Sequence, residues 1–76
     1  MKLEKLGNNK TALNTGSSTA YFSYNTPVVI SRGKRIYVTK AFYSKTTSRH
    51  INEFISMEPR DSIVVAVEQS DLEELL

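Results

Sequence analysis

The 76-residue chain carries a formal net charge of +2 and contains no cysteine, which excludes disulfide bridges and thiolate metal sites and fits a reducing cytoplasm. Its length supports one hydrophobic core, so we expect a single domain spanning residues 1–76. Apolar runs fall far short of the roughly 20 residues that cross a bilayer, and no segment resembles a secretory signal, so we expect a cytoplasmic protein without a membrane partner.

The N-terminal segment, residues 1–9, has an ambiguous pattern. Leu3 and Leu6 have helical spacing, but the Gly-Asn-Asn that follows them ends any helix at once. A single helical turn, a short strand and a flexible or weakly structured arm all remain open. A weak strand is predicted at 10–14, followed by turn chemistry in "NTGSS" at 14–18.

A strand is predicted in "TAYFSYN", residues 19–25, because its side chains alternate between two faces. One face carries Ala20, Phe22 and Tyr24, and the other carries Tyr21 and Ser23. Thr26-Pro27 marks a strand boundary, since proline lacks the backbone donor that a sheet requires.

The segments on either side of Gly33 predict an antiparallel hairpin. "VVIS" before the turn is a short apolar run. In "RIYVTK" after the turn the side chains alternate, so that Ile36 and Val38 lie on one face of the strand and Tyr37 and Thr39 on the other. A glycine between two such arms is the usual centre of a short hairpin loop.

The spacing of apolar residues changes from every second to every third or fourth position in "TTSRHINEFISM", which predicts a helix over about 47–57. Ile51, Phe54 and Ile55 fall at i, i+3 and i+4 and form one apolar stripe. Pro59 ends the helix, and a turn follows it.

Two local contacts are expected on this helix. Thr46 or Thr47 can cap its N-terminus by accepting a hydrogen bond from a free backbone N–H. Arg49 and Glu53 are four residues apart and can pair on the outer face.

The C-terminal segment predicts one more strand and a short helix. "SIVVAVE", residues 62–68, is β-branched at most positions, which predicts a strand covered on both faces. Ser70 and Glu73 have capping-box spacing and predict a helix over about 71–76. The fold class is therefore α+β: a small antiparallel sheet of three to five strands packed by one central helix and a short C-terminal helix.

The sequence contains few of the residues from which catalytic or metal sites are built. His50 is the sole imidazole, no set of zinc ligands can be assembled, and the three glycines are scattered, so no phosphate-binding loop exists. We therefore expect a protein that is not an enzyme and uses no metal or cofactor. His50 itself is expected to pack beside Phe54 in the first helical turn, with a surface contact to an anion or partner as the alternative.

Charge is divided unevenly along the chain. Residues 1–50 contain nine Lys/Arg and one acid, a balance of +8, whereas residues 51–76 contain one Arg and seven acids, a balance of −6. Such an asymmetry is a hint of nucleic-acid interaction. The alternative is that the two halves neutralise each other in the fold or in a head-to-tail contact.

Cations and aromatic residues are interleaved from the hairpin to the helix start, and they form the predicted binding set. Cations track phosphates and aromatic rings stack on bases, as a nucleic-acid surface requires. Free backbone N–H groups at Thr46–Arg49 would also favour an anion. The alternative is structural, since tyrosine favours strands and surface lysines protect sheet edges. The candidate nucleic-acid or partner-binding residues are Arg32, Lys34, Arg35, Tyr37, Lys40, Tyr43, Lys45, Arg49 and His50.

Residues 21–52 carry three short motifs with a shared pattern. These are Tyr-Ser-Tyr-x-Thr-Pro-Val at 21–28, with Phe22 inserted, then Tyr-Val-Thr at 37–39 and Tyr-Ser-x-Thr-Thr-Ser-x-His-Ile-Asn at 43–52. The segment resembles a family of small uncharacterised bacteriophage and mobile-element proteins. The resemblance implies a phage or plasmid accessory protein in the bacterial cytoplasm, with no established reaction or cofactor. It favours a binding module over an enzyme.

Three hypotheses follow from the sequence. The first is a nucleic-acid-binding module, which requires the cations of the hairpin and of the helix start to lie together. The second is a factor that binds a host or phage protein as its partner, for instance one that occludes a host or defence protein, using the acidic segment 68–74 as a phosphate mimic or the tyrosines as anchors. The third is a homo-oligomer held by Leu75, Leu76 and the oppositely charged halves.

Overall fold

The computed structural model describes residues 2–76, in which six strands form one mixed sheet and two helices pack on it. The elements are β1 (Lys2–Gly7), β2 (Lys10–Asn14), β3 (Thr19–Ser23), β4 (Thr26–Arg32), β5 (Arg35–Thr39), α1 (Lys45–Ser56), β6 (Ile63–Val67) and α2 (Gln69–Glu74). The α+β class predicted from the sequence is confirmed. The strand count is larger than the predicted three to five, because residues 2–7 pair with β2 as a strand. The prediction of a purely antiparallel sheet was wrong, because β6 pairs with β5 in parallel.

The strands lie side by side in chain order, from β1 at one edge to β6 at the other. The first five form an antiparallel meander, and β6 then pairs with β5 in parallel. A parallel pair needs a crossover connection that returns the chain to the starting end of the first strand. Helix α1 is that crossover, so it runs back along the sheet from the far end of β5.

Helix α1 covers one face of the sheet, called here the α1 face. Its buried side chains pack on residues that alternate inward along the strands, which include Ala12, Val29 and Ile36. Phe54 is fully buried, and its ring stacks on Tyr21 with the two ring centroids 4.9 Å apart. This cluster is the larger part of the core.

Helix α2 packs on the opposite face, called here the α2 face. Leu72 is fully buried there against Ala20 and Ile30. A six-residue helix is unstable alone in water, so its docking through Leu72 is what stabilises it. The sheet therefore lies between two helices of unequal length.

The central helix begins earlier than the sequence predicted. It spans Lys45–Ser56 rather than about 47–57, and its N-cap is Ser44 rather than Thr46 or Thr47. The Ser44 Oγ accepts a hydrogen bond from the Thr47 backbone N–H at 3.1 Å. Because the hydroxyl of Ser44 caps the helix about one turn before Thr47, the hydroxyl of Thr47 is not needed as a cap and points into the fold.

The prediction that the strand after Pro59 is covered on both faces was wrong. β6 lies at the edge of the sheet, and Ile63 and Val64 are more than half exposed. Its β-branched composition reflects strand propensity rather than burial. The neighbouring α1 and α2 pack over the inner strands and leave β6 largely uncovered.

The predicted capping box of the C-terminal helix was also wrong. Helix α2 begins at Gln69, and its N-cap Glu68 makes no side-chain capping bond. The Gln69 side chain instead donates to the Pro27 carbonyl at 2.9 Å and to Glu73 at 3.1 Å. The helix is thus fixed at its start by a bond to β4.

Candidate nucleic-acid interface

The predicted cations fall into two groups at opposite ends of the sheet. The hairpin end contains the β4–β5 loop, and the helix-start end contains residues 40–44 and the first turn of α1. Because α1 begins beyond the end of β5, the two groups are separated by the length of that strand, about 13 Å. The structure therefore does not bring the hairpin cations and the helix-start cations together.

The cations at the hairpin end are largely engaged within the fold. Arg32 donates from Nη2 to the Leu75 carbonyl at 2.9 Å and from Nε to Ser18 Oγ at 3.0 Å. Lys34 lies 3.6 Å from a carboxylate oxygen of Asp61. Arg32 thereby holds the carbonyl end of α2, where a positive charge is favourable. Arg35 is exposed and forms no ion pair within residues 2–76.

The helix-start end presents cations to solvent. Lys45 and Arg49 are four residues apart, so they share one face of α1, and both are exposed. Neither forms an ion pair within the described part of the chain. Lys40 lies at the same end and makes a long, exposed contact of 3.9 Å with Glu68.

Glu53 does not pair with Arg49 as the sequence predicted. Lys10 Nζ, from β2, donates to both Glu53 carboxylate oxygens at 3.0 and 3.3 Å. This hydrogen bond lowers the pKa of Glu53 and outweighs the effect of desolvation. A long-range partner thus replaces the local one, and the Arg49 guanidinium has no carboxylate partner among residues 2–76.

Exposed aromatic rings lie at the same end as these cations. Phe42 and Tyr43, in the segment between β5 and α1, are 73% and 46% exposed, and Tyr24, in the β3–β4 turn, is 48% exposed. The Tyr24 ring centroid lies 6.1 Å from that of His50, which is next to Arg49 in the chain. Single exposed apolar side chains are common, but several large aromatic rings at one end of a small domain are typical of an interaction site.

Tyr24 adopts an unusual backbone conformation. Its φ of 58° lies in the left-handed region, which bulky residues rarely occupy. Its N–H donates to the Asn9 carbonyl at 2.7 Å, which ties the β3–β4 turn to the β1–β2 turn. Strained residues of this kind persist where the surrounding structure holds them and are concentrated at binding sites.

His50 and the hydroxyls before it form an internal network. His50 is 7% exposed, and its Nδ1 lies 2.8 Å from Ser23 Oγ, which is 3.1 Å from Thr47 Oγ1. Thr47 Oγ1 in turn accepts from Ser44 Oγ at 3.3 Å. The segment "YSKTTSRH" therefore divides by position: Ser44, Thr47 and His50 bond inside the fold, and Tyr43, Lys45 and Arg49 are exposed.

The helix start offers fewer free donors than the sequence suggested. The Thr47 N–H is bonded to Ser44 Oγ, and the Ser48 N–H is bonded to the Ser44 carbonyl at 3.0 Å. Any anion at this end would therefore depend mainly on side-chain cations.

Tyr37 is not part of this surface. It is half-buried on the α2 face, where it packs against the cluster that contains Ile30 and Leu72. Tyr21 is also internal, with its hydroxyl 2.5 Å from a Glu58 carboxylate oxygen, and Ser31 Oγ donates to the other oxygen at 2.5 Å. Burial, followed by the hydrogen bond to Glu58 and that carboxylate's charge, raises the pKa of Tyr21 far above its usual range.

The acidic C-terminal segment does not cover the helix-start cations. Helix α2 packs on the opposite face of the sheet from α1, and Glu68, Asp71, Glu73 and Glu74 are exposed there. Only Glu68 contacts a helix-start cation within residues 2–76, through Lys40. The fold thus keeps the two charged segments largely apart.

Phe42 is, with Tyr24, an exposed aromatic residue that the predicted binding set left out. It precedes Tyr43 in a segment with neither strand nor helix period, between a finished strand and a helix cap. An aromatic residue outside any periodic element has no predicted core position, and that signal could have identified it as exposed.

No group of His, Cys, Asp and Glu side chains among residues 2–76 is arranged to hold a metal ion. Neither described helix has the length and apolar character needed to span a membrane.

The chain belongs to a family of unknown function, DUF8033, whose model matches residues 1–74. Neither a curated protein nor a solved structure shows significant similarity to it.

Proposed function

We propose that this protein is a non-enzymatic binding module that holds single-stranded nucleic acid at its helix-start end. The observation that carries the proposal is the presence of three exposed aromatic rings at the same end of the sheet as two cations that form no ion pair with any other residue of the described range 2–76. The rings are those of Tyr24, Phe42 and Tyr43, and the cations are Lys45 and Arg49.

The two residue types supply the two interactions that such binding needs. Lys45 and Arg49 neutralise successive phosphates, because one helical turn separates them on the same face. The aromatic rings stack on bases without reading their sequence, since every base has a π face. A duplex keeps its bases stacked on one another, so an exposed ring favours an unpaired strand.

We extend the proposal to the origin and location of the protein. The resemblance of residues 21–52 to phage and mobile-element proteins supports an accessory protein of such an element, acting in the bacterial cytoplasm. Hairpin-end residues Arg32, Lys34 and Arg35 contribute general positive charge rather than contacts, because two of them are bonded within the fold.

Salt titration of oligonucleotide binding tests the proposal. Fluorescence anisotropy with a labelled oligothymidine strand is expected to show binding that weakens as salt rises. For single strands each phosphate contact contributes about 0.7 to the slope of log K against log salt, so the double variant Lys45→Gln/Arg49→Gln should flatten the slope by about 1.4.

The matched control is Lys34→Gln/Arg35→Gln, which removes the same charge from exposed residues at the hairpin end. It should leave the slope nearly unchanged. Equal losses in the two double variants would mean a net-charge effect without a site. Absence of binding at low salt would reject the proposal outright.

The aromatic contribution is tested with Phe42→Ala and Tyr43→Ala. Stacking on one base is worth about 1–3 kcal/mol, so each variant should weaken binding at least several-fold. Because the Phe42 side chain is largely exposed and that of Tyr43 is about half exposed, the free energy of unfolding should change little. Unchanged affinity in both variants would remove base stacking from the proposal.

A second function is supported by the surface of α2. Its exposed carboxylates, separated from the cations by the sheet, form an acidic surface of the kind that mimics phosphates when a protein occludes a nucleic-acid-binding partner. A pull-down from bacterial lysate that survives nuclease treatment, and that is lost with Asp71→Asn/Glu74→Gln, would favour this function over the first.

A further inference from the structure

The outer edge of β6 is bare and apolar. The strand reads Ile-Val-Val-Ala-Val, with no charged residue and no proline, and it is hydrogen-bonded on one side only. Ile63 is 58% exposed and Val64 is 52% exposed. Natural sheets normally protect an edge with charges, prolines or bulges.

The opposite edge is protected in that way. β1 carries Lys2, Glu4 and Lys5, and its pairing with β2 is interrupted by an irregularity between Lys5 and Gly7. The two edges of the same sheet therefore differ, and only β6 presents an unprotected template for another strand.

The hydrogen bonds to β5 show which backbone groups of β6 remain free. The Ile63 N–H donates to the Lys34 carbonyl at 2.7 Å, and the Val67 carbonyl accepts from the Lys40 N–H at 2.8 Å. In a parallel pair alternate residues face the neighbouring strand, so Ile63, Val65 and Val67 bond to β5. Val64 and Ala66 consequently direct their N–H and C=O groups away from the sheet.

We infer that β6 pairs antiparallel with β6 of a second copy of this chain, about a two-fold axis at Val65. In this register Val64 lies opposite Ala66 of the partner subunit, and the two residues exchange both backbone hydrogen bonds. Symmetry repeats the exchange on the other side of the axis. This register pairs all the backbone N–H and C=O groups of β6 that point away from β5. The pairing ends before Ser62, because the Ser62 N–H is already bonded to the Pro59 carbonyl.

The charges at the ends of β6 do not oppose this arrangement. The Lys34–Asp61 contact lies at the start of the strand and the Lys40–Glu68 contact lies at its end, so each carboxylate is already paired with a lysine of its own subunit. An antiparallel pairing brings the start of one strand beside the end of the other. Two neutral lysine–carboxylate pairs therefore approach each other at each end of the contact.

The assembly closes as a dimer. An isologous contact uses the same edge of both subunits and leaves none of it for a third. The edges that remain at the outside are the two β1 strands, which are protected. The inference is independent of the proposed nucleic-acid binding, since its hydrogen bonds come from β6 and none of the proposed contact residues, Tyr24, Phe42, Tyr43, Lys45 and Arg49, takes part in them.

Cysteine cross-linking tests both the contact and its register, because the natural chain has no cysteine. Residues facing each other at a non-hydrogen-bonded position of an antiparallel pair have Cα atoms about 4.5 Å apart, within the range that a disulfide bridges. Val65→Cys is therefore expected to form a covalent dimer on mild oxidation. Leu3→Cys, on the protected edge and 70% exposed, should not. Cross-linking of Leu3→Cys as fast as Val65→Cys would overturn the inference.

Sedimentation over the micromolar range tests the same contact without a cross-link. The natural chain is expected to sediment as twice its 8.6 kDa mass as concentration rises. Ala66→Pro removes a donor that β5 does not use, and Val64→Lys adds a charge to the edge while it keeps the backbone donor. Both should sediment as monomers, whereas Ala66→Ser should still dimerise. A natural chain that stays monomeric, or a dimer that survives both edge variants, would show that β6 is not the contact.

Discussion

The Nδ1 atom of His50 lies 2.8 Å from the hydroxyl oxygen of Ser23, which stands 27 positions earlier in the chain. The contact joins the first half of α1 to the end of β3. Thr47, one turn earlier in the helix, bonds to the same hydroxyl. Three polar side chains are therefore buried together at the point where the helix meets the sheet, and they fix the orientation of its first turns.

Replacing Ser23 with alanine is expected to destabilise the protein by about 1–3 kcal/mol. The substitution leaves the imidazole nitrogen and the Thr47 hydroxyl buried without their shared partner, which costs the desolvation of those groups. Urea denaturation measures the free energy of unfolding. Ser17→Ala, at an exposed turn position, is the matched control and should lie within experimental error of the natural chain. Equal effects in the two variants would argue against the network.

Stability is expected to fall as the pH rises above about 10, in part because of Tyr21. Burial and Glu58 raise the pKa of this phenol in the folded state. The unfolded chain therefore releases the proton first, and the free energy of unfolding decreases with pH from the unfolded-state pKa upward. Below the unfolded-state pKa, the protonated Tyr21 makes its full contribution to the free energy of unfolding.

Tyr21→Phe provides the measurement for this prediction. The variant loses the hydroxyl and its bond to Glu58, so it should be less stable at neutral pH. Its stability should also fall less steeply than that of the natural chain between about pH 9 and about pH 11. Parallel pH curves for the two proteins would show that Tyr21 is not responsible.

Tyr24→Asn is expected to separate stability from binding. Asparagine tolerates the left-handed conformation better than tyrosine does, so relief of strain offsets the lost ring contacts and the free energy of unfolding should stay equal or rise. If Tyr24 stacks on a base, affinity for the oligothymidine strand should fall by about 1–3 kcal/mol. Tyr24→Phe keeps the ring and should keep the affinity. Loss of affinity in both variants would mean that the hydroxyl, not the ring, makes the contact.

Leu72→Ala is expected to destabilise the protein by about 2–5 kcal/mol, because the side chain is fully buried under α2. Hydrogen exchange should show the amides of Gln69–Glu74 losing protection first. Leu76→Ala, at a side chain that is 59% exposed, is the control and should have little effect. A comparable loss in Leu76→Ala would contradict the assignment of Leu72 as the docking residue.

The elements of the fold were largely readable from local patterns. Alternation predicted which side chains of β3 share a face, and the structure places Ala20 and Phe22 on the α2 face and Tyr21 and Ser23 on the α1 face. Tyr24, predicted to share a face with Ala20, instead follows the end of the strand in a left-handed conformation, with its ring near His50 of α1. Period predicted α1, since Ile51, Phe54 and Ile55 face the sheet. Such patterns suffice because a strand or an amphipathic helix is specified by its own side chains.

What the sequence left open were the choices that depend on distant partners. Glu53 pairs with Lys10 rather than with the nearby Arg49. Ser44 caps α1, although Thr46 and Thr47 were equally suitable N-cap residues by sequence. The hairpin cations and the helix-start cations are close in sequence but lie at opposite ends of β5, because that extended strand runs between them. β6 lies at an edge despite its apolar, β-branched composition, because a helix and not a further strand follows it. Composition determined which residues this protein can use, and the course of the strands through the sheet decided which of them share a surface.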